Sequence, residues 1–223
     1  MRPLVLFDLD NTLLDRQLAL RDWAVSFSTR HGLDRTAETW LANLLADRAD
    51  PAHFEVIRAR FRLGDPAAVL WSGYREDIAA AVLCPPGVLT GLEELRAAGW
   101  RIGIATNGAA DIQWAKLRAT GIADRVDAVC VSEEAGVRKP EPALFHEAVR
   151  RCGGLHGGGG WMVGDSATND IGGARSVGLR TVWIHRGTTW PDHLPEPDHK
   201  VPDALAAVRL LGSLASGPRR SIA

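Results

Sequence analysis

Short apolar runs recur along the chain and alternate with segments of helical periodicity. The first run is Leu4–Phe7, and similar runs lie at residues 102–105, 129–131, 161–163 and 181–184. A run of this kind is typical of a parallel strand that is buried on both faces of its sheet. Because helical patterns lie between the runs, the sequence predicts a doubly wound, Rossmann-like α/β core with a parallel sheet.

Residues 16–84 interrupt this alternation, since they carry helical patterns only. Two dipeptides in the segment, Asp50-Pro51 and Asp65-Pro66, each resemble a helix start. In both, the aspartate would be the N-cap and the proline would take the first helical position. We therefore predict a unit of four α-helices that is inserted directly after the first strand.

These patterns divide the chain into an α/β core, a helical insertion and a tail. The core comprises residues 1–15 and 85–212, and the helical insertion comprises residues 16–84. The glycine-rich segment 153–160 precedes a strand and does not join a strand to a helix. We interpret it as a flexible connection and not as a phosphate-binding loop. Residues 213–223 are mostly small, polar or basic, and we expect a flexible tail there.

Composition and charge narrow the possible partners. The chain has 223 residues, of which 46% are hydrophobic and 24% are charged, and its formal net charge is -1. This balance is typical of a soluble globular protein and argues against nucleic acid or an anionic membrane as the main partner. We also expect no membrane span and no N-terminal signal. The three cysteines lack a metal-type spacing, so we expect them to be buried and reduced in a cytoplasmic protein.

Polar side chains follow four of the five predicted strands. In an open parallel sheet, ligands bind at the carboxyl ends of the strands. Taken singly, each of these side chains also fits a helix cap or a solvated position. They are Asp8 and Asp10 after the first strand, Thr106 and Asn107 after the second, Lys139 after the third, and Asp165 and Asp170 after the fourth.

Together, these residues predict a site for a metal ion and a phosphoryl group. Several carboxylates at one sheet edge repel each other unless a cation lies between them, and oxygen ligands favour a hard ion such as Mg²⁺. Lys139 adds a second positive centre. A metal ion and a lysine side by side form an electrostatic cradle for a phosphoryl group.

The same residues resemble the four motifs of the haloacid dehalogenase superfamily, in its phosphatase-like branch. The motif D-x-D-x-T corresponds to residues 8–12, and the threonine after a strand corresponds to Thr106. The K-P pair corresponds to Lys139-Pro140, and G-D-x-x-x-x-D corresponds to residues 164–170. The helical insertion resembles the C1-type cap of this family, and the resemblance covers nearly the whole chain.

The resemblance implies a phosphatase that forms an aspartyl phosphate on Asp8, its nucleophile. Asp10 would protonate the leaving alkoxide and later deprotonate the attacking water, and it is expected to hold a proton in an anionic site. Thr106 and Lys139 would be catalytic as well, and they would bind the phosphoryl group together with Asn107. The implied ligands of Mg²⁺ are Asp8, the backbone carbonyl of Asp10, Asp165 and, directly or through water, Asp170.

Asp10 favours phosphate chemistry over dehalogenation. Relatives that cleave carbon–halogen bonds generally lack an acid at this position, since a halide leaves without a proton. We expect a small phosphorylated metabolite as the substrate of a monomer or homodimer. Arg16, Gln17 and Tyr74 are candidates for substrate contacts from the helical insertion.

Other functions remain open at this point. A phosphotransferase or phosphomutase would return the phosphoryl group to a sugar, and a haloacid dehalogenase is the less favoured enzyme. A non-catalytic signalling receiver also clusters acids, a threonine and a lysine at strand ends. A degenerate binding protein of the same fold is disfavoured because no motif residue is missing.

Overall fold

The computed structural model shows an α/β fold, and it describes residues 2–154 and 159–216. All strands of its sheet run parallel, in the order β3-β2-β1-β4-β5-β6. The strands are β1 (Leu4–Phe7), β2 (Arg101–Thr106), β3 (Ala128–Val131), β4 (Gly160–Gly164), β5 (Arg180–Ile184) and β6 (His199–Val201). The helices are α1 (Arg16–Arg30), α2 (Arg35–Leu44), α3 (Pro51–Phe61), α4 (Ala67–Ala81), α5 (Pro86–Ala97), α6 (Ala110–Ala119), α7 (Ser132–Ala135), α8 (Pro142–Arg151), α9 (Gly173–Ser176) and α10 (Ala204–Ser216). A 3₁₀ turn covers Ala123–Arg125, and a π-helical turn covers Ala167–Gly172.

Alternate residues of β1 point to opposite faces of the sheet, and both faces are buried. Val5 and Phe7 belong to the larger core cluster, which includes residues of α5 and α10 and continues into the helical insertion. Leu4 and Leu6 belong to a smaller cluster with residues of α8 and α9. Because helices cover both faces, no position of this strand favours a polar side chain.

The predicted doubly wound parallel fold is confirmed, with all five predicted strands in place. The sequence pattern does not predict β6, which has only three residues and includes His199 and Lys200. β6 pairs with β5 at the edge of the sheet. A short edge strand needs fewer apolar positions than a central strand, so its pattern is weak.

The helical insertion contains α1 to α4, and one of its two predicted helix starts is confirmed. Asp50 caps α3, because its side chain accepts hydrogen bonds from the backbone N–H groups of Ala52 and His53. The start predicted at Asp65 is wrong. α4 begins at Ala67, so the N-cap is Pro66, which has no side-chain acceptor.

Aromatic side chains from three helices form the centre of the helical insertion. The rings of Trp23 and Tyr74 lie 4.9 Å apart between centroids, at right angles. Phe54 lies 5.2 Å from Tyr74. Since all three side chains are buried, α1, α3 and α4 share an apolar core.

The structure shows how buried each cysteine is and whether a described helix could cross a membrane. The three cysteines are free, and Cys130 and Cys152 are buried. Cys84 is only partly buried, contrary to expectation, because it lies in the connection between α4 and α5. Within the described residues, no single helix has the length and apolarity to cross a membrane. The pair α4 and α5 would pass that test together, but these helices meet at a bend of 75°.

Two expectations for connecting segments fall partly outside the described residues. The helix α10 continues through Ser216, so residues 213–216 are helical, contrary to the predicted tail. Residues 217–223 lie beyond the described part of the chain. Residues 155–158 of the glycine-rich segment also lie outside it.

Candidate active site

The carboxyl ends of three strands meet at one edge of the sheet, because β1 lies between β2 and β4. Chain connections leave in opposite directions at this point, and the resulting crevice is the usual ligand site of such folds. It forms a cavity of about 690 Å³, with the helical insertion as its other wall. The predicted site residues that line the cavity are Asp8, Asp10, Asn107, Lys139, Asp165 and Asp170.

Asp8 is anchored by two hydrogen bonds just after β1. Its Oδ1 accepts from Nζ of Lys139 at 2.6 Å, and its Oδ2 accepts from the hydroxyl of Thr12 at 3.3 Å. The Lys139 ammonium also donates to Oδ1 of Asp170 at 2.7 Å. Since the side chains of Asp8, Lys139 and Asp170 are at most 9% exposed, Lys139 is a buried cation that joins two acids from different strand ends.

Asp165 completes an acidic cluster with Asp8 and Asp170. One carboxylate oxygen from each residue lies within 4.8 Å of the other two. Three carboxylates face one ammonium here, so the cluster has excess negative charge when all of them are ionised. A hard divalent cation fits this donor set, because Mg²⁺ favours oxygen ligands and neutralises carboxylates. These three side chains could therefore hold the metal ion.

The loop after β4 is shaped by a glycine. A Cβ atom on Gly164 would collide with the carboxylate of Asp170, so only glycine lets this acid lie against the strand end. The backbone N–H of Ser166 donates to Oδ2 of Asp170 at 3.0 Å. Nε1 of Trp183 donates to the backbone oxygen of Asp165 at 2.7 Å. The close packing of Asp170 therefore explains why the G-D-x-x-x-x-D motif has a glycine at this position.

Burial and mutual repulsion favour protonation in the acidic cluster. Burial raises the pKa of Asp8 to about 7, although the Lys139 ammonium acts in the opposite direction. Burial, followed by the charges of Asp8 and Asp170, raises the pKa of Asp165 to about 8. Burial acts to lower the pKa of Lys139, but the carboxylates of Asp170 and Asp8 outweigh it and raise this pKa above its ordinary value. A bound cation would stabilise the ionised acids.

Asp10 lies two residues further on and faces cations. Nζ of Lys116 donates to both carboxylate oxygens of Asp10, at 2.8 and 2.7 Å. Nε2 of Gln113 donates to Oδ2 of Asp10 at 3.2 Å, and Nε of Arg16 lies 4.0 Å from the same oxygen. The Asp10 carboxylate is therefore not one of the three in the acidic cluster. As a metal ligand, Asp10 would act through its backbone carbonyl.

The contacts of Asp10 favour its ionised form, in contrast to the expectation that it holds a proton. Burial acts to raise the pKa of Asp10, but the charges of Lys116 and Arg16 and the hydrogen bonds from Lys116 and Gln113 hold it below its ordinary value. Burial lowers the pKa of Lys116, and the Asp10 carboxylate opposes this change. A sequence-based assignment cannot include these contacts, because Lys116 is far away along the chain.

The last residue of β2, Thr106, and the residue after it, Asn107, have partners within the protein. Thr106 is buried and is absent from the described residues that line the cavity; its hydroxyl oxygen accepts from Nε2 of Gln113 at 2.7 Å. Asn107 uses both ends of its side-chain amide on the backbone of Lys139: Oδ1 accepts from the N–H at 2.9 Å, and Nδ2 donates to the carbonyl at 3.0 Å. The Asn107 side chain therefore holds the backbone of Lys139 in place, and its contact with phosphate stays a prediction.

The helical insertion contributes part of the cavity wall. Of the three candidates there, Arg16 and Tyr74 line the cavity, whereas Gln17 is exposed and is not among the lining residues described. The guanidinium of Arg16 donates to the backbone oxygens of Leu45 and Ala46 at 2.7 and 2.6 Å. Arg16 therefore joins α1 to the end of α2. Residues 46–51 and Trp71 add a second wall segment that sequence patterns do not indicate.

Gln113 and Lys116 are buried polar residues in contact with Asp10 that the sequence patterns did not single out as site candidates. Both lie on the buried face of α6, with relative exposures of 1% and 2%. Ile112 and Leu117 share this buried face. The available signal was a glutamine and a lysine at helix positions where the periodicity calls for apolar side chains.

A family model and a known relative each match most of the chain. Residues 3–178 match the family described as "Hydrolase: haloacid dehalogenase-like hydrolase". The chain is 34% identical over 199 residues to the glyceraldehyde 3-phosphate phosphatase of Pyrococcus abyssi (strain GE5 / Orsay), with 84% of this chain and 83% of that protein covered.

Solved structures with this fold include both phosphatases and dehalogenases. A HAD phosphatase from Thermococcus onnurineus superimposes with a TM-score of 0.67 and 29% identity, covering 95% of this chain and 98% of that one. A 2-haloacid dehalogenase from Pseudomonas syringae pv. Tomato DC3000 has a TM-score of 0.62 and 30% identity, covering 96% of this chain and 99% of that one. The fold alone therefore does not separate the two reactions.

Proposed function

The chain belongs to the haloacid dehalogenase-like hydrolase family, and its similarity to phosphatases supports the same enzyme class. We propose that it hydrolyses the phosphate monoester of a small metabolite with the help of Mg²⁺. The observation that carries the proposal is the pairing of an acidic cluster around Asp8 with a separate acid, Asp10, in one cavity. Such a site offers a nucleophile and a proton carrier side by side.

Asp8 is the proposed nucleophile. A carboxylate oxygen attacks phosphorus, the bond to the leaving oxygen breaks, and an aspartyl phosphate forms. The hydrogen bonds from Lys139 and Thr12 hold the carboxylate in place for this attack. In the second step water attacks the phosphorus of the aspartyl phosphate, which releases inorganic phosphate and regenerates Asp8.

Asp8, Asp165 and Asp170 would hold the metal ion, together with the backbone carbonyl of Asp10. When bound, Mg²⁺ supplies positive charge that stabilises the ionised acids and the oxygens of the phosphoryl group. Lys139 adds a fixed positive charge beside Asp8. The Thr106 hydroxyl would donate to a phosphoryl oxygen after a small rearrangement, and Asn107 would act through the backbone of Lys139.

Asp10 is the proposed acid and base. It donates a proton to the leaving alkoxide in the first step and takes one from water in the second. Its contacts favour the carboxylate in the free protein. A bound phosphoryl group carries up to about two negative charges near neutral pH, and this charge would favour the protonated form that the first step requires.

Two features favour a small phosphate ester as the substrate over a halogenated acid or a protein. Asp10 is present and lines the cavity, which disfavours dehalogenation, because a halide needs no proton. A phosphotransferase or mutase would use the same first step and differ only in the acceptor. The wall that the helical insertion contributes favours a small substrate over a protein. A cytoplasmic location and a monomeric or homodimeric state stay predictions.

The direct test is phosphate release from a panel of metabolite phosphates. We expect the purified protein to release inorganic phosphate from at least one small ester in Mg²⁺ and to stop in excess EDTA. A parallel assay with added sugar acceptors detects transfer instead of hydrolysis. Release that continues unchanged in EDTA, or no release from any ester, would contradict the proposal.

The role of Asp10 has its own test. Asp10→Asn should slow the first step roughly 10²–10⁴-fold for an alkyl phosphate. It should slow p-nitrophenyl phosphate much less, because p-nitrophenolate leaves without a proton. Single-turnover measurements isolate this step from the hydrolysis of the intermediate. Equal losses for the two substrates would mean that Asp10 acts through geometry and not through proton transfer.

A further inference from the structure

We infer that Gln113 and Lys116 are positioning residues for Asp10, an inference that rests on the proposed acid–base role of Asp10. Both side chains reach the cavity from α6. Neither belongs to a motif that the sequence resembles. They would act on the reaction through Asp10, by fixing where its carboxylate lies relative to the leaving oxygen.

The contacts of Lys116 restrict rotation of the Asp10 carboxylate. Its Nζ lies 2.8 Å from Oδ1 and 2.7 Å from Oδ2, so turning the carboxylate about its last bond would break at least one contact. The charge-assisted hydrogen bonds are of the stronger kind. The Lys116 side chain is only 3% exposed, and that of Asp10 is 19% exposed. Water therefore competes weakly for the lysine, while the acid keeps an open side toward the cavity.

Gln113 connects Asp10 to the end of β2. Its Nε2 lies 2.7 Å from the Thr106 hydroxyl oxygen, 3.2 Å from Oδ2 of Asp10 and 3.2 Å from the backbone oxygen of Asn107. One amide nitrogen thus contacts residues at the ends of two neighbouring strands. The acid of the first motif and the threonine of the second are held at a defined separation by a residue of neither motif.

A purely structural role does not account well for these residues. Burying a polar or charged side chain costs free energy unless it gains partners, and a buried ion pair is often no better for stability than apolar side chains of similar size. Ile112 and Leu117 show that the same face of α6 accepts apolar residues. The polar pair, however, lies where α6 passes the end of the Asp10 side chain.

Correct placement of an acid matters because proton transfer requires it to be within hydrogen-bond reach of the leaving oxygen. Small errors in position reduce rates strongly. Arg16 is not a substitute for Lys116, since its nearest nitrogen is 4.0 Å from Asp10 and its guanidinium bonds the backbone at the end of α2. Loss of Lys116 would therefore free the carboxylate to turn.

The test compares Lys116→Met with Arg118→Met by single-turnover kinetics in Mg²⁺. Arg118 lies on the exposed face of the same helix, so its replacement removes a cation without touching the cavity. We expect Lys116→Met to slow the first step roughly 10–100-fold for an alkyl phosphate, a smaller loss than that of a missing general acid. For p-nitrophenyl phosphate we expect only a few-fold loss, with KM little changed for both substrates. Arg118→Met should match the wild type.

A double variant separates positioning of Asp10 from direct contact with the substrate. If Lys116 acts only through Asp10, adding Lys116→Met to Asp10→Asn should cost little further rate. A further loss as large as that of the single variant, or a raised KM, would show that Lys116 binds the substrate and would overturn the inference. Equal losses of Lys116→Met for the two leaving groups would overturn it too.

Two controls keep the outcomes distinct. If Lys116→Met does not fold, as judged by its melting curve, Lys116→Gln gives the same comparison, because it removes the charge and retains a donor. A wild-type protein without phosphatase activity would overturn the proposed function and this inference together. This inference alone would be overturned if the wild type is active and the rate loss of Asp10→Asn depends on the leaving group, but the rate losses of Lys116→Met and Lys116→Gln do not.

Discussion

Asp8 and Asp10 follow the same strand two residues apart, yet their surroundings are opposite in charge. Asp8 lies with Asp165 and Asp170 around one lysine, and burial raises its pKa to about 7. Asp10 lies between Lys116, Gln113 and Arg16, which together lower its pKa despite burial. Residue type and position along the strand are therefore not enough to assign the chemistry of a carboxylate; its neighbours across the sheet decide it.

The comparison also explains how one short motif serves two tasks. The Asp8 side has three carboxylates and one ammonium, and this excess of negative charge suits a metal ion. The Asp10 side has positive charge of its own, which suits an acid that must keep a defined position. Alternation along an extended chain puts both residues on the same side, and α6 and the Lys139 loop supply their different partners.

The largest expected effect is the loss of the nucleophile. Asp8→Asn should reduce turnover by several orders of magnitude, roughly 10⁴–10⁶-fold, because an amide is a very poor nucleophile. Asp22→Asn, at an exposed position of α1, is the matched control and should leave turnover unchanged. Steady-state phosphate release measures both variants. A folded Asp8→Asn protein with about a tenth of the wild-type activity would place the nucleophile elsewhere.

Loss of the cation on the Asp8 side should come next. Lys139→Met removes the ammonium that contacts both Asp8 and Asp170, and we expect turnover to fall roughly 10²–10³-fold, as for other electrostatic groups in active sites. Lys200→Met, at an exposed lysine paired with Glu196, should retain activity. Similar activities of the two variants would contradict the assigned role of Lys139.

The two acids should also differ in their effect on stability. In EDTA near pH 8, Asp10→Asn leaves Lys116 buried without a charged partner, and it should lower the free energy of unfolding by about 2–3 kcal/mol. Asp8→Asn removes one of three mutually repelling acids, so it should leave stability unchanged or raise it. Urea unfolding of both variants measures the difference. Equal destabilisation would contradict the electrostatic contrast between the two acids.

The last expected effect is a pH dependence of stability without metal. The pKa of Asp8 is raised from 3.8 to about 7, and that of Asp165 from 3.8 to about 8. At pH values between the unfolded and the folded pKa of each acid, the folded state therefore binds more protons than the unfolded state. The corresponding stability is present below the unfolded value and is lost as pH rises toward about 8.

Melting temperatures from pH 5 to pH 8 measure this loss. In EDTA the contribution of these acids should lower the melting temperature as the pH rises, by roughly 2–4 °C for each kcal/mol of stability lost in a protein of this size. Mg²⁺ should reduce the decrease by binding the ionised acids. The Asp8→Asn variant should show a smaller decrease than the wild type in EDTA. Identical profiles with and without Mg²⁺ would argue against a metal in the acidic cluster.

Much of the fold follows from local patterns. The buried strands are continuous apolar runs, and the helix start at Asp50 is evident from one dipeptide. β6 was missed because a short edge strand has little pattern of its own. The start at Asp65 was predicted wrongly because Asp-Pro resembles a cap, although the chain begins α4 at Ala67. Such errors arise where one or two residues carry the whole signal.

The sequence by itself determined which side chains follow the strands, since strand patterns and topology rules bring Asp8, Asp10, Asn107, Lys139, Asp165 and Asp170 to one sheet edge. Only the tertiary structure decided their partners. The ion pair of Lys116 with Asp10 joins residues 106 positions apart, and the bond of Lys139 to Asp8 spans 131 positions. Electrostatic effects fall off with distance in space and not along the chain, so charge states become evident only when the fold has brought these groups together.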